Sequence, residues 1–344
     1  VELMGKSWPF DMVVIDELSS FKNPSAQRFK ALRKVIPASD RVVGLTGTPS
    51  PNGLMDLWAE IYLLDRGERL GPTISAYREK YFRAGARNGY IVYKWEPYSY
   101  SQKEIERKIS DICMSMSAED YLELPERMDN EIKIRLSPKE VKQYDQMERE
   151  QLLRIDDEAV VALNAAAVMN KLLQMANGSV YADGGDVVKI HEKKLDALEE
   201  IIDTTGEPVL VFYQYKHELE RLQERFKALQ PVTFSGEPET LQAWNAGRIR
   251  LMLCQPASVQ YGLNMQSGGH IIVWYAPTGN LEQYQQANAR LHRQGQERPV
   301  LCYRLICEGT VDNRVVDAVA GKDSAQESLL RMIREIYADN CNKV

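Results

Sequence analysis

Cysteine and histidine are scarce: five cysteines (Cys113, Cys254, Cys302, Cys307 and Cys341) and four histidines stand in 344 residues. No C-x-x-C pair occurs, which argues against a zinc site and fits a reducing, intracellular setting. No apolar run approaches the ~20 residues of a membrane span, and the residues after Val1 carry no signal-peptide pattern, so a soluble, cytoplasmic protein is expected. An excess of positive charge is also missing. Forty-three basic residues against forty-nine acidic ones give a net charge of −6. Any contact with nucleic acid must then come from a local groove or patch. A fixed-period repeat is absent too, which excludes a solenoid.

With 44% hydrophobic and 27% charged residues, the chain has ordinary globular material for about two domains. Met12-Val13-Val14-Ile15 is a β-branched apolar run that ends in Asp16-Glu17, the pattern of a buried strand with carboxylates at its C-terminal edge. Asn23-Pro24-Ser25 opens a helix predicted to run to Val35. A second strand over 41–45 leads into Thr46-Gly47-Thr48-Pro49, and 54–64 has helical periodicity. Strand, helix, strand, helix implies a parallel sheet with crossovers. The pattern loosens from 66 to 125, where an irregular insertion with short helices is expected. Within it, Tyr98, Tyr100, Arg83, Arg87 and Lys94 form either a nucleic-acid surface or a plain solvated loop. Alternation over 130–136 predicts a strand, helices should fill 138–175, and 177–186 reads as a polar linker. The α/β pattern then restarts, with strands expected at 208–213, 250–254, 270–275 and 300–306, Trp244 and Trp274 in the core, and a final helix over 325–337.

Three short segments carry chemistry. An Asp-Glu pair at a strand end suits nucleotide hydrolysis, one carboxylate holding Mg²⁺ and the other handling the attacking water; by itself it is equally a solvated pair. The hydroxyl-rich loop 46–49 can relay from that pair or serve as a simple turn. Residues 286–296 read Gln-Ala-Asn-Ala-Arg-Leu-His-Arg-Gln-Gly-Gln. If helical, they bring Gln286, Arg290 and Arg293 within an arc of about 60°, so that two guanidinium groups and an amide face one phosphate. A solvated basic helix face is the plainer alternative.

In that order and spacing, the segments resemble the Swi/Snf-type branch of the superfamily-two helicases. Asp16-Glu17 is similar to the family's second motif, 45–49 to its third and 286–296 to its sixth. Val209-Leu210-Val211-Phe212 with the following Tyr213-Gln214 is similar to the fourth, Ser258 through Asn264-Met265 to the fifth, and 170–178 to the segment preceding the second lobe. The run 16–24 resembles compact versions carried by phages and prophages. The resemblance implies an α/β fold of two RecA-like lobes with parallel sheets flanked by helices, the first lobe incomplete, with an irregular helical insertion. The expected partition is 1–136 for the distal part of the first lobe, with the insertion at 66–125, then 137–185 for a helical connector and linker, and 186–344 for the second lobe. The implied activity is ATP hydrolysis between lobes that grip duplex DNA and translocate along it, by a monomer in a bacterial cell.

By residue-wise resemblance, Asp16 would hold Mg²⁺, Glu17 would be the base, and Arg290 and Arg293 the arginine fingers. Gln286, Gly262 and Asn264 would line the ATP side. Thr46, Gly47, Thr48 and Ser258 would couple hydrolysis to movement or touch DNA. The chain departs from the family where Leu18-Ser19 replaces a small residue and a histidine, and where Val259-Gln260 replaces a small or glycine pair. It also has no G-x-x-x-x-G-K-[ST] phosphate loop: Gly5-Lys6-Ser7 lacks the first glycine, and Trp8-Pro9 stands where a helix should run. The expectation is that the phosphate loop lies in a missing part of the first lobe and that this fragment is inactive alone. A non-hydrolysing binding module of the same fold, or a strand-separating helicase, would share the same segments.

Overall fold

The structure, a computed structural model, describes residues 8–47, 53–85, 87–88, 91–92, 95–115, 124–153, 161–182, 184–259 and 262–321. Two compact units emerge, one formed mainly by residues up to Ser117 and the other by Ala118–Val319.

In the first unit, β1 (Met12–Ile15) and β2 (Arg41–Gly44) pair in parallel, with Met12 opposite Arg41 and Val14 opposite Val43. The crossover is α1 (Gln27–Val35), which begins after an Asx turn in which Asn23 Oδ1 accepts from the Ser25 amide. That turn occupies the residues expected to open the helix. Phe29, Leu32 and Val35 of α1 join Leu57, Trp58 and Ile61 of α2 (Leu57–Asp65) and Ile15 in one core. Val13 and Val42 pack against that core, whereas Met12 and Val14 on the opposite face are 50% and 54% exposed. The insertion contributes α3 (Ile74–Tyr81), the hairpin β3 (Phe82–Ala84) with β6 (Trp95–Pro97), the short pair β4 (Arg87–Asn88) with β5 (Ile91–Val92), and α4 (Ser101–Ile109). Tyr98 and Tyr100 are exposed and stack on each other at 5.5 Å, and Arg83 is paired with Glu96 at 3.1 Å.

The second unit is a six-stranded, all-parallel sheet. Its strands are β7 (Arg127–Ile134), β10 (Val209–Phe212), β11 (Val232–Phe234), β12 (Leu251–Cys254), β13 (Ile271–Trp274) and β14 (Val300–Cys307), in the order β11-β12-β10-β13-β14-β7. The strands of parallel sheets are buried on both faces and read as unbroken apolar runs. Every residue of β10, β12 and β13 is accordingly at most 1% exposed. Each such aliphatic or aromatic side chain contributes about 1.5–3 kcal/mol on burial. Strand β7 begins at Arg127, earlier than the alternation suggested, and pairs along its whole length with β14 at the sheet edge. It therefore alternates because one edge strand is only half covered.

Two helices precede the sheet's centre, α5 (Pro138–Leu153) and α6 (Val161–Ala176); residues 154–160 lie outside the described residues. The polar stretch after them folds as the hairpin β8 (Ser179–Tyr181) and β9 (Val187–Lys189). Its first residues are not solvated: Asn177 and Ser179 are buried. The remaining helices are α7 (Lys193–Thr205), α8 (Lys216–Arg225), α9 (Pro238–Asn245) and α10 (Leu281–Asn288), followed by helical residues 311–321. Trp244 and Trp274 are core residues, as expected. The helix predicted over 325–337 lies outside the described residues. Among the described residues, no helix is long and apolar enough to cross a membrane.

Candidate functional site

Asp16 and Glu17 leave β1 at its C-terminal edge and are both exposed. The chain turns sharply there. Glu17 adopts a left-handed conformation (φ 53°, ψ 60°), and its amide donates to Asp16 Oδ1 at 3.1 Å. Such backbone costs a non-glycine residue of the order of 1–3 kcal/mol and persists only where neighbours hold it. The neighbours are the next strand's end: the Leu45 amide donates to Ile15 O at 2.9 Å, and the Leu18 amide donates to Leu45 O at 2.8 Å. Gly44 makes this approach possible, since a Cβ there would stand 2.5 Å from Leu18 Cδ2. Ser19, at the departure from the family pattern, is fully buried.

Asp16, Glu17, Thr46 and Gly47 line a cavity of about 480 Å³ in the first unit. Its far wall is apolar, with Leu64, Ile112 and Met114, and includes buried Glu60 and the thiol of Cys113, whose pKa burial pushes up to about 12. Thr48 lies outside the described residues. Among those described, no cluster of three or more His, Cys, Asp or Glu residues could hold a metal by itself. One exposed carboxylate with water and phosphate oxygens is nonetheless an ordinary Mg²⁺ environment, so Asp16 fits the ion.

In the second unit the expected continuous helix through 296 is not present. Helix α10 ends at Asn288. The amides of Arg290 and Leu291 donate three residues back, to Ala287 O and Asn288 O, which tightens the last turn. The cause is tertiary. Asn288 is buried, and its Oδ1 accepts from Trp274 Nε1 at 3.0 Å and Cys302 Sγ at 3.6 Å. Leu291 and Gln296 then return to the interior through a turn at Gly295 (φ +91°). Gln286 therefore sits on the helix, while Arg290 and Arg293 sit on the turn beyond it. Arg290 is 8% exposed, and Arg293 Nη1 donates to Leu263 O at 3.0 Å.

That bond joins the arginine turn to the loop carrying Gly262 and Asn264, which are both exposed. Gly262 has φ +46° with open space around it, so the backbone conformation, not crowding, favours glycine. Ser258 faces its own turn, Oγ donating to Gln255 O at 2.7 Å; Val259 is fully buried and Gln260 lies outside the described residues.

The sequence held the residues of one further feature but not their convergence. The chain leaves β10 toward β11 and β12 on one side, and β13 and β14 lie on the other, which makes the ends of β10 and β13 the switch point where open α/β sheets bind ligands. A crevice of about 220 Å³ lies there, lined by Asn170, Asn177, Gln214, Tyr215 and Thr278. Behind it runs a buried network. Glu218 accepts from the Gln214 and Tyr215 amides at 2.8 and 3.1 Å and from Asn177 Nδ2 at 2.6 Å. Asn177 Oδ1 in turn accepts from Lys194 Nζ at 2.6 Å, and Lys194 pairs with Asp312 at 2.7 Å. Asn170, Asn177 and Gln214 stand in the segments read above as similar to family motifs, and Thr278 follows an adjacent apolar run.

Residues 2–178 match the pattern described as the SNF2-related domain, and residues 193–295 match that of the helicase conserved C-terminal domain. Putative protein p41 of Acyrthosiphon pisum secondary endosymbiont phage 1 is 38% identical over 346 residues, covering 97% of this chain and 75% of that protein. An uncharacterized ATP-dependent helicase of Mycoplasma pneumoniae is 25% identical over 332 residues, covering 91% of this chain but 30% of its own length. The chain thus spans under a third of that relative. The solved Sulfolobus solfataricus SWI2/SNF2 ATPase core in complex with dsDNA is 20% identical, with a TM-score of 0.45, covering 94% of this chain and 70% of that one.

Proposed function

Because the chain belongs to the SNF2-related family, we propose that it is the core of an ATP-driven motor that grips duplex DNA and moves along it. The observation that carries this reading is the junction of two strand ends, where Leu18 and Leu45 hold Asp16-Glu17 and Thr46-Gly47 around one cavity. Nucleotide hydrolysis needs a carboxylate for Mg²⁺, a second to orient water, and a nearby loop that moves with them. Asp16 would hold Mg²⁺, which when bound neutralises phosphate charge. Glu17 orients and deprotonates water. Arg290 and Arg293 meet the charge that develops on the departing phosphoryl group, with Gln286, Gly262 and Asn264 on the ATP side. Thr46, Gly47, Thr48 and Ser258 couple hydrolysis to DNA. The switch-point crevice, with its neutral amides and hydroxyls, suits backbone phosphate contacts of a kind that carry no sequence information.

These 344 residues hold no G-x-x-x-x-G-K-[ST] phosphate loop. The test is ATP turnover by the chain, alone and joined to a segment that carries such a loop, with and without duplex DNA, beside Glu17→Gln. DNA-stimulated turnover abolished by E17Q is expected. Duplex binding without any turnover would favour a non-hydrolysing module, and strand displacement from a plain duplex would favour a helicase.

A further inference from the structure

Gln296 is 8% exposed, and both ends of its side-chain amide are in use. Nε2 donates to Gly269 O at 3.0 Å, Gln266 O at 3.1 Å and Leu291 O at 3.3 Å. Oε1 accepts from the amides of Glu297 and Arg298, both at 3.1 Å. The nitrogen faces only carbonyls and the oxygen only N–H groups, so the reversed amide would lose every one of these bonds.

Two acceptors belong to the loop 262–269, and the third to the arginine turn. Other bonds run between the same segments: Gln266 Nε2 donates to Gln294 O at 3.4 Å, and Arg293 Nη1 to Leu263 O. The loop is tied to α9 as well, through Trp244 Nε1 to Met265 O and Asn245 Nδ2 to Asn264 O, each 2.8 Å. Among these three bridging side chains Gln296 is in the interior, whereas Arg293 and Gln266 are half-buried. A hydrogen bond shielded from water holds geometry more firmly than one that water competes for.

We infer that Gln296 is a positioning residue whose amide staples the loop 262–269 to the turn 290–296, so that Arg290, Arg293, Gly262 and Asn264 hold or change position as one body. Only the catalytic consequence of this staple rests on the reading of the two arginines as phosphate ligands; the joint itself does not.

The test is amide hydrogen exchange on the chain, comparing the parent with Gln296→Ala and Gln296→Glu. In Q296A, both 263–269 and 290–296 should exchange about tenfold faster, because one lost amide leaves buried carbonyls unpaired, while β10 and β13 keep their protection. Q296E keeps the shape and can still accept from Glu297 and Arg298, but sets a carboxylate oxygen against three carbonyls. Its protonated form regains one donor, so its excess exchange over the parent at equal pH should shrink between about pH 7 and about pH 5. Unchanged exchange in Q296A, or loosening confined to 290–296, overturns the staple. If Q296A loses protection in β10 and β13 as well, Q296E decides: an excess that does not depend on pH overturns it. In the ATP-hydrolysing protein, Q296A should lower kcat about tenfold with KM for ATP within about twofold. Loosened exchange with an unchanged kcat would refute the phosphate role of the arginines and leave the staple standing.

Discussion

The amide of Leu18 donates to the carbonyl of Leu45 at 2.8 Å, which fastens the loop after Asp16-Glu17 to the loop that carries Thr46. The contact depends on Gly44, where a Cβ would lie 2.5 Å from Leu18 Cδ2 and 3.2 Å from Leu64 Cδ2. Gly44→Ala should therefore destabilise the first unit by about 1–3 kcal/mol in urea unfolding, the usual range for overpacking. Leu18→Ala should relieve part of this, giving a double variant less unstable than the sum. Strict additivity would mean that the clash is absorbed elsewhere.

In the second unit, Lys194 and Asp312 form an ion pair at 2.7 Å with both side chains fully buried. Removing one partner leaves a buried charge uncompensated, which typically costs about 3–5 kcal/mol. Lys194→Met should reach that range by chemical denaturation, and K194M combined with Asp312→Asn should cost much less than the two singly. A K194M loss below about 1 kcal/mol would show that water or Asn177 takes over the cation's role.

Two buried imidazoles set a dependence on acidity. Burial lowers the pKa values of His191 and His217 from 6.5 to about 4. For His191, Glu140 opposes the shift while Lys194 and Arg221 add to it; for His217, Arg221 adds to it. Between those values the unfolded chain binds more protons than the folded one, so the stability they contribute is complete above about pH 6.5 and lost as pH falls toward about 4. Each contributes at most about 3 kcal/mol. Glu218 acts with the opposite sign: burial raises its pKa, with the Gln214 and Tyr215 amides opposing. Its contribution is present below the ordinary glutamate value and lost as pH rises through the folded one. Comparing unfolding of the parent with that of His217→Gln cancels the Glu218 contribution to a first approximation. The variant should show the shallower loss on acidification, and parallel curves would exclude His217.

The strands of the second unit were legible because parallel strands are buried on both faces: Val209-Leu210-Val211-Phe212 cannot be read as anything exposed. The arginine turn was not. Nothing between Leu281 and His292 breaks a helix locally, and α10 stops at Asn288 because a tryptophan and a cysteine distant in sequence hold that amide. Gln296 is likewise an ordinary polar residue in sequence, and only the folded chain brings Gln266 and Gly269 to it. Asp16, Glu17, Thr46 and Gly47 were found as separate loops, and their shared cavity follows from the pairing of β1 with β2.

Arg290 and Arg293 should separate by experiment. On the proposed function, either alanine variant is expected to lower DNA-stimulated ATP turnover, by up to about 10³-fold if each acts as an arginine finger. Only Arg293→Ala should also loosen the loop 262–269 in hydrogen exchange, since its guanidinium holds the Leu263 carbonyl. Arg293→Lys retains a donor but not the planar fork, and should recover protection of that loop without recovering turnover. Parent-like hydrolysis by Arg290→Ala would remove that residue from the phosphate site.

One face of the sheet of the first unit carries exposed apolar side chains. Val13, Ile15 and Val42 pack toward α1 and α2, whereas Met12, Val14 and Leu45 are 50%, 54% and 52% exposed. Parallel sheets are almost always covered on both sides. Covering these three half-exposed side chains would contribute about 2–4 kcal/mol. A segment that carries a phosphate loop and extends this sheet would cover this face. Met12→Glu with Val14→Glu alters exposed positions and should change the chain's own unfolding by no more than about 0.5 kcal/mol per site. The same pair of changes should abolish calorimetric binding of an added segment that carries a phosphate loop, together with any ATP turnover that mixing produces. Binding undiminished by the two glutamates would show that the segment docks elsewhere. Turnover by the chain without any added segment would show that these 344 residues already contain their own phosphate site.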